Sequence, residues 1–516
     1  MPLEDQLTHS WANERSGAGR GDGARTLTVG EWETGAPCAG MAALTGRQGD
    51  TMATAPVAQQ GGLKGYIATH RTLETYPVGA HRWGMLLLTV LATIVSFYEF
   101  QFAPLLPLWI PTLHFSLEDF SLFLLFAVLL SGASAMIGGP LADRHGRIIV
   151  IDVCLAVIIV LTFLNLVMVN LWTFVIIRGA MNLVAGLMWG ALGGLTRDMS
   201  PRVSRGAAFG LLTVGAVGCI FLWNFISGLT LPIFGTWQSQ IWIMGILAIL
   251  MYIPVLLWLK DLHPNLRLTI VESESTAAAS STEHIRKETM EVPASGGAAF
   301  RELLSRWEVW VLVVGCVGFL TLPITSQTFF PVMFTRAFHY SPAEAAKMAS
   351  YFWLLNLFML VPAGLLSDWL RIRKPLVLIG TVASLAVLVW WIGTFSNPLQ
   401  HFELAAVMFV LGGLVAFAFI PWCAQYSELL EDISPALQAS GWSFFQLIYR
   451  GWIAISGPIL AYVTGHYGWA SWMWVAAAGM ILFIPAMLAV RGGWLPAKAG
   501  QATGEQAATS ARPSPA

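Results

Sequence analysis

Twelve apolar runs, each near twenty residues, restrict the fold of this chain more than any other feature. Crossing the ~30 Å hydrocarbon core of a bilayer takes ~20 helical residues at ~1.5 Å each. Within hydrocarbon, every backbone N–H and C=O needs a partner inside its own segment, and long helices meet that demand. The runs read as 83–105, 120–137, 148–169, 171–195, 207–231, 241–259, 309–330, 345–366, 376–395, 404–426, 439–463 and 469–490. Only 11% of residues are charged, against ~25% in an average soluble domain. The sequence therefore predicts an all-α integral membrane protein with twelve transmembrane helices, whose immediate partner is the lipid bilayer.

The runs divide into two sets of six. Residues 1–81 are rich in Gly, Ala and Thr without an apolar periodicity, and are expected to form a disordered tail. No basic start followed by an apolar core marks a signal peptide there, and Met41 and Met52 offer alternative starts. A first six-helix bundle is expected over 82–260, a Ser-, Thr- and Glu-rich linker over 261–306, a second bundle over 307–491, and a disordered tail over 492–516. Two features recur at one spacing. Gly364-Leu365-Leu366-Ser367-Asp368 repeats Gly139-Pro140-Leu141-Ala142-Asp143, and the capping pattern Ser341-Pro342-Ala343-Glu344 repeats Ser116-Leu117-Glu118-Asp119; 364 − 139 and 341 − 116 are both 225. Two independent matches at one offset predict pseudo-symmetric bundles in parallel repeat.

Between the second and third runs lies Gly139-Pro140-Leu141-Ala142-Asp143-Arg144-His145-Gly146-Arg147. Its charges cannot sit in hydrocarbon, so the turn belongs at a membrane face, and its arginines assign that face to the cytoplasm. Arg197, Arg202, Arg205, Arg371, Arg373 and Lys374 fall on the same side, while the other side offers Arg336 and Lys347, so both termini are expected in the cytoplasm. The turn resembles the signature Gly-x-Leu-Ala-Asp-Arg-x-Gly-Arg of the major facilitator superfamily of secondary transporters. Gly139, Leu141, Ala142, Asp143, Arg144, Gly146 and Arg147 complete the pattern. The second copy keeps Gly364 and Asp368 but has Trp369 and Leu370 in place of the basic and small residues, so the first turn is expected to carry more of the gating. The resemblance implies alternating access between the bundles. It also implies gating contacts of Asp143 with residues 439–442 and of Arg147 with Asp198.

No P-loop, dinucleotide turn or metal-spaced His/Cys cluster occurs, so neither a cofactor, a metal nor an enzymatic activity is expected. The five cysteines (Cys38, Cys154, Cys219, Cys316 and Cys423) form no C-x-x-C pair, and no basic cluster suggests nucleic acid. What remains is charge inside spans, which is functional by default. Glu99 and Arg178 lie at similar depth in the first and fourth spans, and read as a pair in which a proton on Glu99 breaks the interaction. Arg450 lies mid-membrane in the eleventh span, with Gln446 and Trp442 on its face and Tyr449 beside it. No acidic residue of the last six spans matches its depth, so its expected partner is an anionic substrate. Asn224, Gln327, Asn356 and Trp422 are secondary candidates for substrate contact. Asn182, Thr325, Ser326 and Gln425 are further polar positions in spans.

These readings converge on proton-coupled import of a small organic anion. The expected setting is the cell's inner (plasma) membrane, and the expected working unit is a monomer. Proton-antiport efflux of a hydrophobic compound is the alternative, favoured by the many Trp and Phe in the spans, while the fifth span lacks the Gly-Pro pair of many drug antiporters. A membrane sensor signalling through the 261–306 linker is a third possibility.

Overall fold

A computed structural model of the chain describes residues 71–100, 102–199, 205–263, 301, 304–370, 372–433 and 438–490. The first half comprises β1 (Thr72–Leu73), α1 (Gly79–Ser96), α2 (Leu106–Thr112), α3 (Leu117–His145), α4 (Arg147–Leu164), α5 (Leu171–Asp198), α6 (Arg205–Phe234), α7 (Trp237–Trp258) and β2 (Asp261–Leu262). The second comprises α8 (Trp307–Phe319), α9 (Thr321–Thr328), α10 (Phe330–Ala337), α11 (Pro342–Leu370), α12 (Lys374–Gly393), α13 (His401–Ile433) and α14 (Gln438–Ala489). Among the described residues, eleven helical segments are long and apolar enough to cross a bilayer. The last, Phe444–Ala489, has 46 residues, about twice what one crossing needs. It turns at Gly468, whose φ of 80° and ψ of 171° leave the helical region, and its two arms coincide with the eleventh and twelfth spans read from the sequence.

Both capping boxes form. The Asp119 N–H donates to Ser116 Oγ at 3.0 Å, and the Ser116 N–H donates to Asp119 Oδ2 at 2.8 Å. The Glu344 N–H donates to Ser341 Oγ at 3.3 Å, and the Ser341 N–H to Glu344 Oε2 at 3.0 Å. Each box satisfies donors that a first helical turn leaves unpaired. The helices they open, α3 and α11, are displaced by 225 residues at both ends (342 − 117 and 370 − 145). The repeat extends to an interruption: α1 stops at Ser96, passes through one 3₁₀ turn at Phe97–Phe100 and resumes as α2, while the seventh span divides into α8, α9 and α10. α10 ends 225 residues after α2 (337 − 112).

Small residues set the helix crossings. A Cβ on Gly186 of α5 would lie 2.2 Å from the Ser131 carbonyl oxygen of α3, and one on Gly138 of α3 would lie 2.0 Å from the Leu187 carbonyl oxygen. Only glycine permits backbone contact at both levels, as expected where packing in lipid replaces a hydrophobic drive between helices. The halves meet where α3 lies along α14 and α6 along α11. On the face opposite the signature turn, a Cβ on Gly228 would fall 2.9 Å from the Lys347 Cα, and Phe120 and Phe329 pack edge to face at 5.9 Å.

The expectation of disorder through residue 81 fails from Arg71 onward. β1 and β2 pair in parallel, Thr72 opposite Asp261 and Leu73 opposite Leu262. Arg71 forms an ion pair with Asp152 of α4, and donates to the carbonyls of Val255 at 3.2 Å and Leu259 at 3.0 Å at the end of α7. Asp261 Oδ2 accepts the backbone N–H of Arg147 at 3.1 Å, at the start of α4. The chain ahead of α1 is thus folded because α7 leaves carbonyls unpaired at its C-terminus and Arg71 supplies their donors. The second half does the same from within: Lys374 Nζ donates to the Leu488 and Val490 carbonyls at 3.0 and 2.9 Å. The first bundle therefore runs from Arg71 to His263, wider than the 82–260 expected. Residues 1–70, 264–300 and 491–516 lie outside the described residues.

Candidate functional site

The unwinding of α1 decides the chemistry at Glu99 and Arg178. The 3₁₀ turn that follows Ser96 ends the α-helical ladder. Arg178, fully buried on α5, donates to the backbone carbonyl of Glu99 and, at 3.5 Å, to that of Tyr98. Its guanidinium carbon sits 5.1 Å from the Phe102 ring centroid and 5.9 Å from that of Trp109. The equal depth read from the sequence is correct, but the expected carboxylate–guanidinium pair is not what forms. Arg178 holds the main chain of Glu99, and both carboxylate oxygens of Glu99 are buried without a hydrogen-bond partner among the described residues. The cations in electrostatic range of that carboxylate are Arg450 and then Arg178.

Arg450 projects from α14 into the first half. Its Nη1 donates to Ser131 Oγ of α3 at 3.2 Å, and its guanidinium carbon stands 5.8 Å over the Trp189 ring of α5. Among the described residues this is the one hydrogen bond of Arg450, out of the five N–H donors of a guanidinium. The acidic group the sequence reading found missing from the second half lies in the first, at Glu99. Trp189 in turn packs against Phe97 at 5.1 Å and 72°, and its indole N–H is buried without a partner among the described residues. Ser131 and Trp189 were passed over in the sequence, yet a signal existed. Ser131 stands 225 residues before Asn356 (356 − 131), the polar residue singled out in the eighth span.

The remaining candidates separate. Tyr449 stacks on Phe445 at 5.8 Å and 14°, and Gln446 is exposed. Trp442 donates to Ser427 Oγ at 3.3 Å and meets Trp422 edge to face at 6.4 Å. Trp422 is fully buried and stacks on Tyr426 at 5.2 Å and 5°; among the described residues neither its N–H nor the buried Gln425 carboxamide has a hydrogen-bond partner. Asn356 donates to the Gly412 carbonyl at 3.0 Å and joins α11 to α13. Asn224 donates to the Ile220 carbonyl of its own helix at 2.8 Å, and its side-chain oxygen has no hydrogen-bond partner among the described residues. Gln327 is buried on α9. No cluster of three or more metal-ligating side chains occurs among the described residues.

At the signature turn, Gly146 takes a φ of 97° and lets α3 end against α4. The side chains of Asp143, Arg144 and Asp198, like residue 139 and the 439–442 contact expected of Asp143, are not among those described in full. Arg147 donates to the Gly194 carbonyl of α5, one turn before Asp198. The second copy is less degenerate than it reads. Arg373 pairs with Asp368 at 2.6 Å and with Glu428, near the end of α13, at 3.1 Å. Gly364 faces Ile420, 3.3 Å from where its Cβ would be.

Comparison with known proteins agrees with this architecture. The sequence model of the Major Facilitator Superfamily matches residues 85–457. "Multidrug resistance protein MdtG" of Rahnella sp. (strain Y9602) is 33% identical over 139 residues, 26% of this chain and 33% of that protein. "Probable anion transporter 4, chloroplastic" of Arabidopsis thaliana is 24% identical over 327 residues, 59% of this chain and 58% of that protein. The chain thus spans about a third to three fifths of the length of these two relatives. The crystal structure of a D-xylose-proton symporter superposes with a TM-score of 0.59 at 14% identity, over 79% of this chain and 97% of that one.

Proposed function

The chain belongs to the major facilitator superfamily and is a multi-pass membrane transporter, and from that premise we propose that it imports a small organic anion together with protons by alternating access. The observation that carries the proposal is Arg450: a permanent cation at the meeting of the two halves, bonded among the described residues to a neutral hydroxyl. A guanidinium there is costly unless it faces water or an anion, and its planar fork matches a carboxylate through two parallel bonds. Relatives named as probable anion transporters in rice and Arabidopsis support the same substrate charge.

Glu99 is the proposed proton carrier. Among the described residues its carboxylate has no hydrogen-bond donor, and burial of such an ion is offset by charge–charge attraction to Arg450 and Arg178. Adding or removing one proton there changes the field at Arg450, which ties proton and anion to one site. The proposed location is a bacterial inner membrane with both termini in the cytoplasm, supported by the bacterial relatives and the distribution of Lys and Arg.

The test is uptake into proteoliposomes from a panel of organic acids, with and without an inward proton gradient. Wild type is expected to accumulate an acid against its gradient only when protons flow inward. Glu99→Gln is expected to lose that accumulation and keep exchange of labelled for unlabelled acid. The second reading, efflux of hydrophobic compounds, draws on the MdtG relatives. It replaces the first if Arg450→Ala leaves transport intact and lipophilic cations or neutral compounds are the cargo.

A further inference from the structure

Three donors converge where Arg450 crosses between the halves, and two of them stand on the first half. Ser131 is 1% exposed on α3, and its hydroxyl already accepts from Arg450 Nη1 at 3.2 Å. Trp189 lies on α5 beneath the guanidinium, and its indole N–H is buried without an acceptor among the described residues. The relative placement of the two is rigid, because Gly186, one turn before Trp189, brings α5 into backbone contact with Ser131. A buried indole N–H without an acceptor costs free energy, and a ligand oxygen seated on Arg450 would supply that acceptor.

We infer that the transported anion is held from both halves at once, by the Arg450 guanidinium, the Ser131 hydroxyl and the Trp189 indole N–H, and that it is a monocarboxylate on a flat apolar body. The inference rests on Arg450 being the substrate site. A single carboxylate follows from the count of cations: among the described residues around the site, Arg178 is committed to the Tyr98 and Glu99 carbonyls, which leaves Arg450. A second negative charge on the ligand would be repelled by Glu99, which lies in electrostatic range of Arg450. The flat apolar body follows from the rings: Trp189 beneath the guanidinium, Phe97 against Trp189, and Tyr449, next to Arg450, stacked on Phe445. Because the donors come from α3 and α5 on one side and α14 on the other, binding draws the halves together.

The experiment measures binding of benzoate, of its neutral isostere benzamide and of the acyclic dianion succinate to the purified full-length transporter, by calorimetry and by ligand-induced thermal shift. Wild type is expected to bind benzoate, and neither benzamide nor succinate at comparable concentration. Trp189→Phe keeps the ring and removes the N–H. It is expected to weaken benzoate about tenfold, the loss of one bond to a charged group, while the melting temperature without ligand stays level or rises. Ser131→Ala is expected to weaken benzoate to a similar degree. If both variants bind benzoate as wild type does while Arg450→Ala binds none, the two-sided site is overturned and the anion reading stands. If succinate binds and benzoate does not, the flat monocarboxylate is overturned. If no anion binds wild type at all, the reading on which this one rests falls with it.

Discussion

Removing Arg71 should open the joint between the chain ahead of α1 and the end of α7. The side chains of Arg71 and Asp152 are each 11% exposed, so their ion pair is largely withdrawn from water. Arg71→Ala leaves the Asp152 carboxylate without its cation and strips donors from the Val255 and Leu259 carbonyls. Breaking a buried pair by deleting one partner costs about 3–5 kcal/mol. At ~1.4 kcal/mol per factor of ten, the lower figure is roughly a hundredfold in an opening equilibrium. Two amides report on that equilibrium directly, because the Asp261 N–H donates to the Arg71 carbonyl at 2.9 Å and the His263 N–H to the Leu73 carbonyl at 3.0 Å. Hydrogen exchange of residues 261 and 263 in nanodiscs should therefore speed up by about two orders of magnitude in Arg71→Ala. Asp152→Leu combined with Arg71→Met should recover part of the protection, since replacing both charges removes the stranded ion. Unchanged exchange in Arg71→Ala would refute the reasoning, as would strictly additive effects of the two substitutions.

Gly228→Val should disfavour closure of the halves on the face opposite the signature turn, because its Cβ would meet the Lys347 main chain at 2.9 Å, where no rotamer relieves the clash; overpacking of this kind costs about 1–3 kcal/mol. A cysteine placed at Ser121 should then react roughly ten- to a hundredfold faster with an impermeant thiol reagent, and an unaltered rate would contradict it. Asn356→Ala should lower stability by about 1–2 kcal/mol through loss of its buried bond to the Gly412 carbonyl. The same substitution should leave substrate affinity unchanged, measured as the Michaelis constant for uptake.

The repeat was legible to the residue because helix starts are local. Ser116 with Asp119 and Ser341 with Glu344 need only their own first turns, and both helices end where the 225-residue offset places them. The depth of Glu99 and Arg178 was legible from apolar run lengths. Their bonding was not, because the apolar run passes through Phe97–Phe100 without a break while the backbone leaves the α-helix there. The Arg71–Asp152 pair joins positions 81 apart in sequence, in a stretch whose composition reads as tail. No local rule links them; the carbonyls at the end of α7 do. Ser131 looked bland beside Asn356, yet the two occupy one repeat position with different roles. Asn356 binds α13, and Ser131 receives Arg450 from the other half.

The two membrane-embedded arginines differ in which half of the fold their donors reach. Each brings five donors and a charge that cannot be given up. Arg178 is fully buried and directs its terminal nitrogens at the Tyr98 and Glu99 carbonyls in the unwound turn that follows α1. Its bonds lie within one half, so a rigid-body motion of the halves does not alter them. Arg450 bonds across the boundary, to Ser131 and the face of Trp189, and keeps donors in reserve. A motion that separates α14 from α3 and α5 must break those contacts or replace them. In the proposed function, an anion lodged among the three would be that replacement, and a proton on Glu99 would remove the charge that competes with the anion for Arg450. Both arginines read from the sequence as charges inside spans; which half each donor reaches sets them apart.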